Sequence, residues 1–261
     1  MHRRRLIFLA GASGLAAHLP LRAQVNSLND AINKAGRQRM LSQRMGKAWL
    51  ALVHRTESAN AQLVLDKSMA LFDRQLVELK AYAPTAEIRE NYTRLEASWS
   101  EYKAALVGIK PRKPGATAVL EADARVLALA HQGTVQYEAF SGKPVGKLVN
   151  VAGRQRMLSQ RMAKFYYAAM LPVDAERAKA EIAKARGEFL AAMALLRNAP
   201  EATDGIRGEL ALADGQWIFF DHALQRMQGV NPHALSDVFV TSENLLSGMD
   251  RVTTQYSALT T

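Results

Sequence analysis

Two arginines carry the chemistry that this sequence offers. Arg39 and Arg156 lie at matching places in two near-copies of one segment, Asn33-Lys34-Ala35-Gly36-Arg37-Gln38-Arg39-Met40-Leu41-Ser42-Gln43-Arg44-Met45-Gly46-Lys47 and Asn150-Val151-Ala152-Gly153-Arg154-Gln155-Arg156-Met157-Leu158-Ser159-Gln160-Arg161-Met162-Ala163-Lys164, identical at 13 of 15 positions and offset by 117 residues. At 100° per residue with Ile32 as origin, Leu28, Gly36, Arg39, Gln43, Gly46 and Leu50 fall within about 40° of it. Arg39 therefore points with the apolar stripe, while Arg37 and Arg44 lie at about 140° and 120°, where water or acidic neighbours satisfy them. The second copy repeats the pattern with Val145, Val149, Gly153, Arg156, Gln160 and Ala163. A guanidinium presents coplanar donors that grip two oxygens of a small planar oxyanion at once. Gln43 and Gln160 offer amide donors and Ser42 and Ser159 hydroxyls beside it.

Gly36 and Gly153 each cost about 1 kcal/mol relative to Ala inside a helix, and close approach of another backbone gives that cost a reason. If the two helices meet across a pseudo-twofold axis, Arg39 and Arg156 face each other partly desolvated. That arrangement is unfavourable unless an anion sits between them.

The elements that must hold these side chains are helical throughout. The chain has 261 residues, 49% hydrophobic, with 16 Gly, 8 Pro and no Cys, which excludes disorder, disulfides, thiolate metal sites and cysteine nucleophiles. The expected fold class is all-α: two tandem up-down four-helix bundles related by the internal repeat. Helices are expected over 25–55, 57–82, 86–109 and 115–140, then 145–171, 174–197, 203–228 and 232–258. Breaks fall at Pro84, Pro111 with Pro114, Pro144, Pro172, Pro200 and Pro232. Asp174 and Ser236 suit first turns and Gly229 a helix end. The modules span 25–141 and 142–261. Fainter matches at Phe72 with Phe189, Ala83-Pro84 with Ala199-Pro200, Ile88 with Ile206 and Trp99 with Trp217 extend the repeat, with Trp99 and Trp217 as core anchors.

Residues 1–23 read as an export signal: a basic head at Arg3, Arg4 and Arg5, an apolar run from Leu6 to Ala17, and a short tail ending at Ala23. Arg4-Arg5-Leu6-Ile7-Phe8 also fits a loose twin-arginine pattern. Removing four arginines takes the formal charge from +10 to about +6. The expected product is a soluble periplasmic protein, for which nucleic acid is not a partner. His54, His131, His222 and His233 are scattered, and no HExxH, ExxH pair, GxSxG element or phosphate-binding glycine loop occurs. Neither catalysis nor a metal or cofactor is expected.

The segment Asn-x-Ala-Gly-Arg-Gln-Arg-Met-Leu-Ser-Gln-Arg-Met resembles the P-box of the sensor domain shared by NarX-type nitrate/nitrite sensor kinases and PilJ-type pilus chemotransducers, and the resemblance covers both copies. It implies a four-helix extracytoplasmic bundle that binds nitrate or nitrite at a dimer interface through one arginine from each first helix, here Arg39 and Arg156. Lys34, Gly36 and Gly153 match further P-box positions. Where those kinases carry one module followed by membrane, HAMP and output segments, this sequence joins two modules, and Val151 stands where the first copy has Lys34. The expectation is a periplasmic nitrate- or nitrite-sensing module whose tandem copies, or two chains as a homodimer, imitate the sensor dimer. It would relay to a separate membrane sensor kinase, chemoreceptor or transporter component. The alternative expectation is a helical interaction module that has lost the ligand and docks a sensor kinase or chemoreceptor ectodomain.

Overall fold

The computed structural model describes residues 24–171, 175–227 and 231–259. They form eight α-helices and no strand: α1 (Leu28–Val53), α2 (Ser58–Tyr82), α3 (Ala86–Gly108), α4 (Ala116–Ser141), α5 (Pro144–Ala169), α6 (Ala175–Arg197), α7 (Asp204–Gln225) and α8 (Pro232–Ser257), with a 3-10 turn at Lys113–Gly115 before α4. The all-α reading holds, and helix ends fall within three residues of expectation. The expected leader at 1–23, Pro172, Asp174 and Gly229 lie outside the described residues.

The boundaries have local causes. Ser27, Thr85 and Thr203 each accept a hydrogen bond from a first-turn amide of α1, α3 and α7, satisfying one of the donors a helix start leaves over. Asn231 does the same for α8 through His233 and Ala234. Ser236 lies early in α8, as expected, and its hydroxyl donates to Glu57 Oε1 at 2.7 Å. Pro144 and Pro232 open α5 and α8, where the missing N–H costs nothing. Gly142 at φ 60° closes α4 in the left-handed conformation.

Helices α1–α4 pack as one bundle and α5–α8 as a second, and the bundles join through α1 against α5. The two joining helices run parallel and in register. A Cβ built on Gly146 would touch Ile32, one on Gly36 would lie 3.9 Å from Gly153 Cα, and one on Gly46 would meet Lys164. Each bundle has its own aromatic anchor. Trp99 stacks on Phe72 at 4.2 Å between centroids, and Trp217 on Phe189 at 4.4 Å. The repeat also recurs in the fourth helices: Tyr137 donates to Leu79 O and Tyr256 to Leu196 O, while Thr134 and Thr253 bond back to the preceding turn.

Candidate functional site

The α1/α5 seam is apolar along much of its length, yet four cations lie in it. Arg39, Arg156, Lys47 and Lys164 are each at most 2% exposed. Lysine and arginine bear such burial only when their charges are compensated, so their partners decide what the seam does.

Gly36 and Gly153 mark the crossing of the two helices. The point a Cβ would take at Gly36 lies 3.2 Å from Arg39 Nη2 and 3.6 Å from Arg156 Nη2, so both guanidinium groups crowd one spot. The glycines make room for arginine heads as well as for each other's backbone. The sequence expectation that an anion must lie between the two arginines needs correction on the Arg156 side. Arg156 Nη1 donates to Asp250 of α8, and its Nη2 to Asn33 O at 3.0 Å. Arg37 shares the same carboxylate at 2.9 Å. Burial alone would raise the Asp250 carboxyl, but Arg156 and Arg37 outweigh it and hold it at about 2.

Arg39 has no such carboxylate. Its Nη2 donates to Asn150 Oδ1 at 2.7 Å and Asn150 O at 3.3 Å, and its Nη1 lies 3.3 Å from His131 Nδ1. All of these partners are neutral, granted that His131 is uncharged. Burial, then Arg39 and Arg154, lower the His131 pKa below its ordinary value of 6.5, so its Nδ1 serves as an acceptor and the proton belongs on Nε2. The nearest compensation is indirect, through Asn150, whose amide donates to Glu138. Burial, then Arg154 and Arg156, make the Arg39 cation costly and lower its pKa to about 9. Its Nε is buried without a hydrogen-bond partner.

Beside Arg39 a cleft of about 300 Å³ opens between α4, α5 and α6. Arg39 and His131 form one wall, Arg154, Arg161 and Lys184 bring further cations, and Glu188 brings the one carboxylate among the lining groups. Arg154 donates to Glu188 and Arg161 to Glu181, both at 2.6 Å. The cleft thus has a buried guanidinium and further cations among its lining groups, a setting that attracts an anion.

The other expected site residues divide. Gln43 and Gln160 lie one turn further along the seam, where their amides are engaged by Asp123 Oδ1 at 2.7 Å and Ser242 O at 2.9 Å. The hydroxyls of Ser42 and Ser159 bond back to the carbonyls of Arg39 and Arg156. Those donors are turned away from the guanidinium pair. Lys34 bridges Asp30 and Glu78 at the α1/α2 surface and takes no part either. Arg44, expected to meet acidic neighbours, pairs with Glu243.

The two buried lysines escaped the sequence reading. Lys47 reaches from the first bundle into the second, bonding Ser242 Oγ at 3.0 Å and Glu243 at 2.6 Å, and Lys164 reaches the opposite way to Asp123. Burial lowers the Lys47 pKa to about 8 despite Glu243. The reciprocal pairs tie the bundles together across the seam. The missed acids were within reach of the sequence. Thr134-x-Gln136-Tyr137 recurs as Thr253-x-Gln255-Tyr256, and extending that alignment places His131 opposite Asp250 and Ala124 opposite Glu243.

Compared with known proteins, residues 21–132 and 139–218 match the family model described as type IV pili methyl-accepting chemotaxis transducer N-terminal domain, PilJ. No curated protein and no solved structure matches. Among the described residues no helix is long and apolar enough to cross a membrane, and no group of three or more His, Cys, Asp or Glu could hold a metal ion. With two matched segments that together span most of the sequence, this chain belongs to the PilJ N-terminal domain family.

Proposed function

We propose that this protein is a periplasmic small-anion sensing module, exported by the leader expected at 1–23, with nitrate and nitrite as the first ligands to test. One observation supports the reading above others: Arg39 is a buried guanidinium with only neutral hydrogen-bond partners, lining a basic cleft. Its pseudo-symmetric mate has an internal carboxylate, so Arg39 is the anchor, and Arg156 supports the crossing.

Arg39 links α1 to α5 through Asn150 and to α4 through His131. An anion that takes over those donors weakens both links and favours a different packing of α1 against α5. A ligand shifts such an equilibrium only through unequal affinity for its two states. The shifted seam is then read by a separate membrane partner: a sensor kinase, a chemoreceptor or a transporter component.

Calorimetry on the full chain tests this. Nitrate or nitrite should give a saturable heat at millimolar ligand or below, lost in Arg39→Gln and weakened in Arg156→Gln. No heat and no thermal shift from either anion, with the chain folded by circular dichroism, would remove nitrate and nitrite as ligands.

A further inference from the structure

The cleft beside Arg39 is far larger than an inorganic oxyanion. An ion of four heavy atoms occupies little more than one or two water volumes of about 30 Å³, against about 300 Å³ here. Apart from its cations, Glu188 and His131, the lining is aliphatic or thioether: Leu127, Ala128, Met157, Leu158, Ala185 and Ala124. Of the lining cations besides Arg39, Arg154 and Arg161 are already committed to Glu188 and Glu181.

The cleft also continues. A second hollow of about 330 Å³ shares Ala124 and Arg161 with the first and runs along α5 past Leu120, Phe165, Ala168 and Ala178, with Glu121, Arg177 and Glu181 also in its lining. Its apolar floor is Phe165, whose face already carries Lys164 Nζ at 4.5 Å from the centroid. Arg39 in the first hollow and an apolar strip of Leu120, Phe165, Ala168 and Ala178 in the second describe an amphiphilic ligand. Pockets of this size that hold organic molecules combine an apolar lining with a few placed polar groups.

We infer that the α4–α6 cleft takes a short- to medium-chain organic monocarboxylate, its carboxylate on Arg39 and its apolar chain running past Ala124 towards Phe165. The inference rests on the anion reading above and narrows its ligand class. Arg39 supplies the bidentate donor pair, and the chain contributes by leaving water.

The test is a titration series on the full chain with acetate, butyrate, hexanoate and nitrate, repeated on Arg39→Gln and Ala124→Phe. Ala124 is exposed in the cleft on α4, and a phenyl ring there closes the passage between the two hollows. Each added methylene should tighten binding by about four-fold while the chain still finds apolar wall. Arg39→Gln should lose the whole series, and Ala124→Phe should end the gain at a shorter chain. Arg39-dependent nitrate binding with no gain from acetate to hexanoate would overturn the carboxylate assignment and leave the small-anion reading standing. A chain-length gain that survives in Arg39→Gln would overturn it as well, since the contact would then be apolar alone. Silence from nitrate and carboxylates alike would take away both readings.

Discussion

Asp250 on α8 and His131 on α4 hold pseudo-equivalent places, 119 residues apart in sequence, and each meets the buried arginine of its own bundle. One pair is an ion pair and the other is not. The duplicated arginines therefore differ in what they still lack: Arg156 is neutralised by the protein, whereas Arg39 is left to neutral acceptors. The pseudo-twofold symmetry of the first helices is broken by the fourth helices, and the open cleft lies on the side where the carboxylate is missing.

Installing the missing acid should close the site. His131→Asp places a carboxylate beside Arg39 as Asp250 is placed beside Arg156, and the new pair compensates a buried charge. The variant should be more stable than the parent by about 1 kcal/mol in urea denaturation, and it should lose the response to nitrate and to carboxylates. A variant that kept full anion affinity would show that Arg39 does not anchor the ligand.

Acid should weaken the seam in a defined window. Burial would raise Glu243, but Lys47 and Arg44 outweigh it and hold it at about 2. Asp250 is likewise held at about 2, against burial, by Arg156 and Arg37. Both folded values lie below the ordinary 4.5 and 3.8. The unfolded chain therefore takes up these protons first, and the stabilisation is complete above the ordinary values and lost as pH falls through about 2. The contribution of these two acids to the urea midpoint should be flat from pH 7 to pH 5 and fall steadily from about pH 4.5 to 2. In Glu243→Gln/Asp250→Asn the midpoint should be lower at pH 7 and that fall shallower.

The parts of this arrangement that the sequence displayed were those with local causes. Proline breaks and capping residues gave the helices, and the 100° step put Arg39 and Arg156 on packing faces. The alignment of the fourth helices marks Asp250, Asp123 and Glu243, but not their partners, because they pair across long separations, from α4 and α8 to α1 and α5. The repeat has diverged at just those positions: Asp123 stands against Ser242, Ala124 against Glu243 and His131 against Asp250. Lys47 and Lys164 closed the repeated segment in plain view. Their interior role follows only from which fourth-helix acids they reach, and helical periodicity carries no information on that.

The cross-bundle pair Lys164–Asp123 should behave as a buried ion pair. Lys164 lies against Gly46, where a Cβ would come within 2.9 Å of its Cδ, and its ammonium reaches Asp123, which is fully buried. Removing one charge leaves the other uncompensated inside the protein, so Asp123→Asn should cost about 3–5 kcal/mol by urea denaturation. Lys164→Met in the same background should recover most of that loss, because the new side-chain amide can still accept from Gln43 and no charge remains buried. A double-mutant cycle measures the coupling, and additive effects would place the lysine in contact with water.

Anion binding should depend on pH through His131. Burial first, then Arg39 and Arg154, keep its pKa below 6.5, with Glu188 pulling the other way. An anion held at Arg39 stabilises the imidazolium, so by linkage the complex binds a proton more readily than the empty protein, and affinity must rise as pH falls. Nitrate suits the measurement because it does not itself titrate in this range. Its affinity should be level from pH 8 to 7 and should increase below pH 6.5, by at most about ten-fold per unit. The titrations stop at about pH 5, above the range in which carboxylates in general take up protons and would add their own effect. In His131→Gln, which keeps an acceptor for Arg39 but cannot charge, the profile should be flat over the same interval. An unchanged slope in that variant would assign the proton to another group and remove His131 from the site.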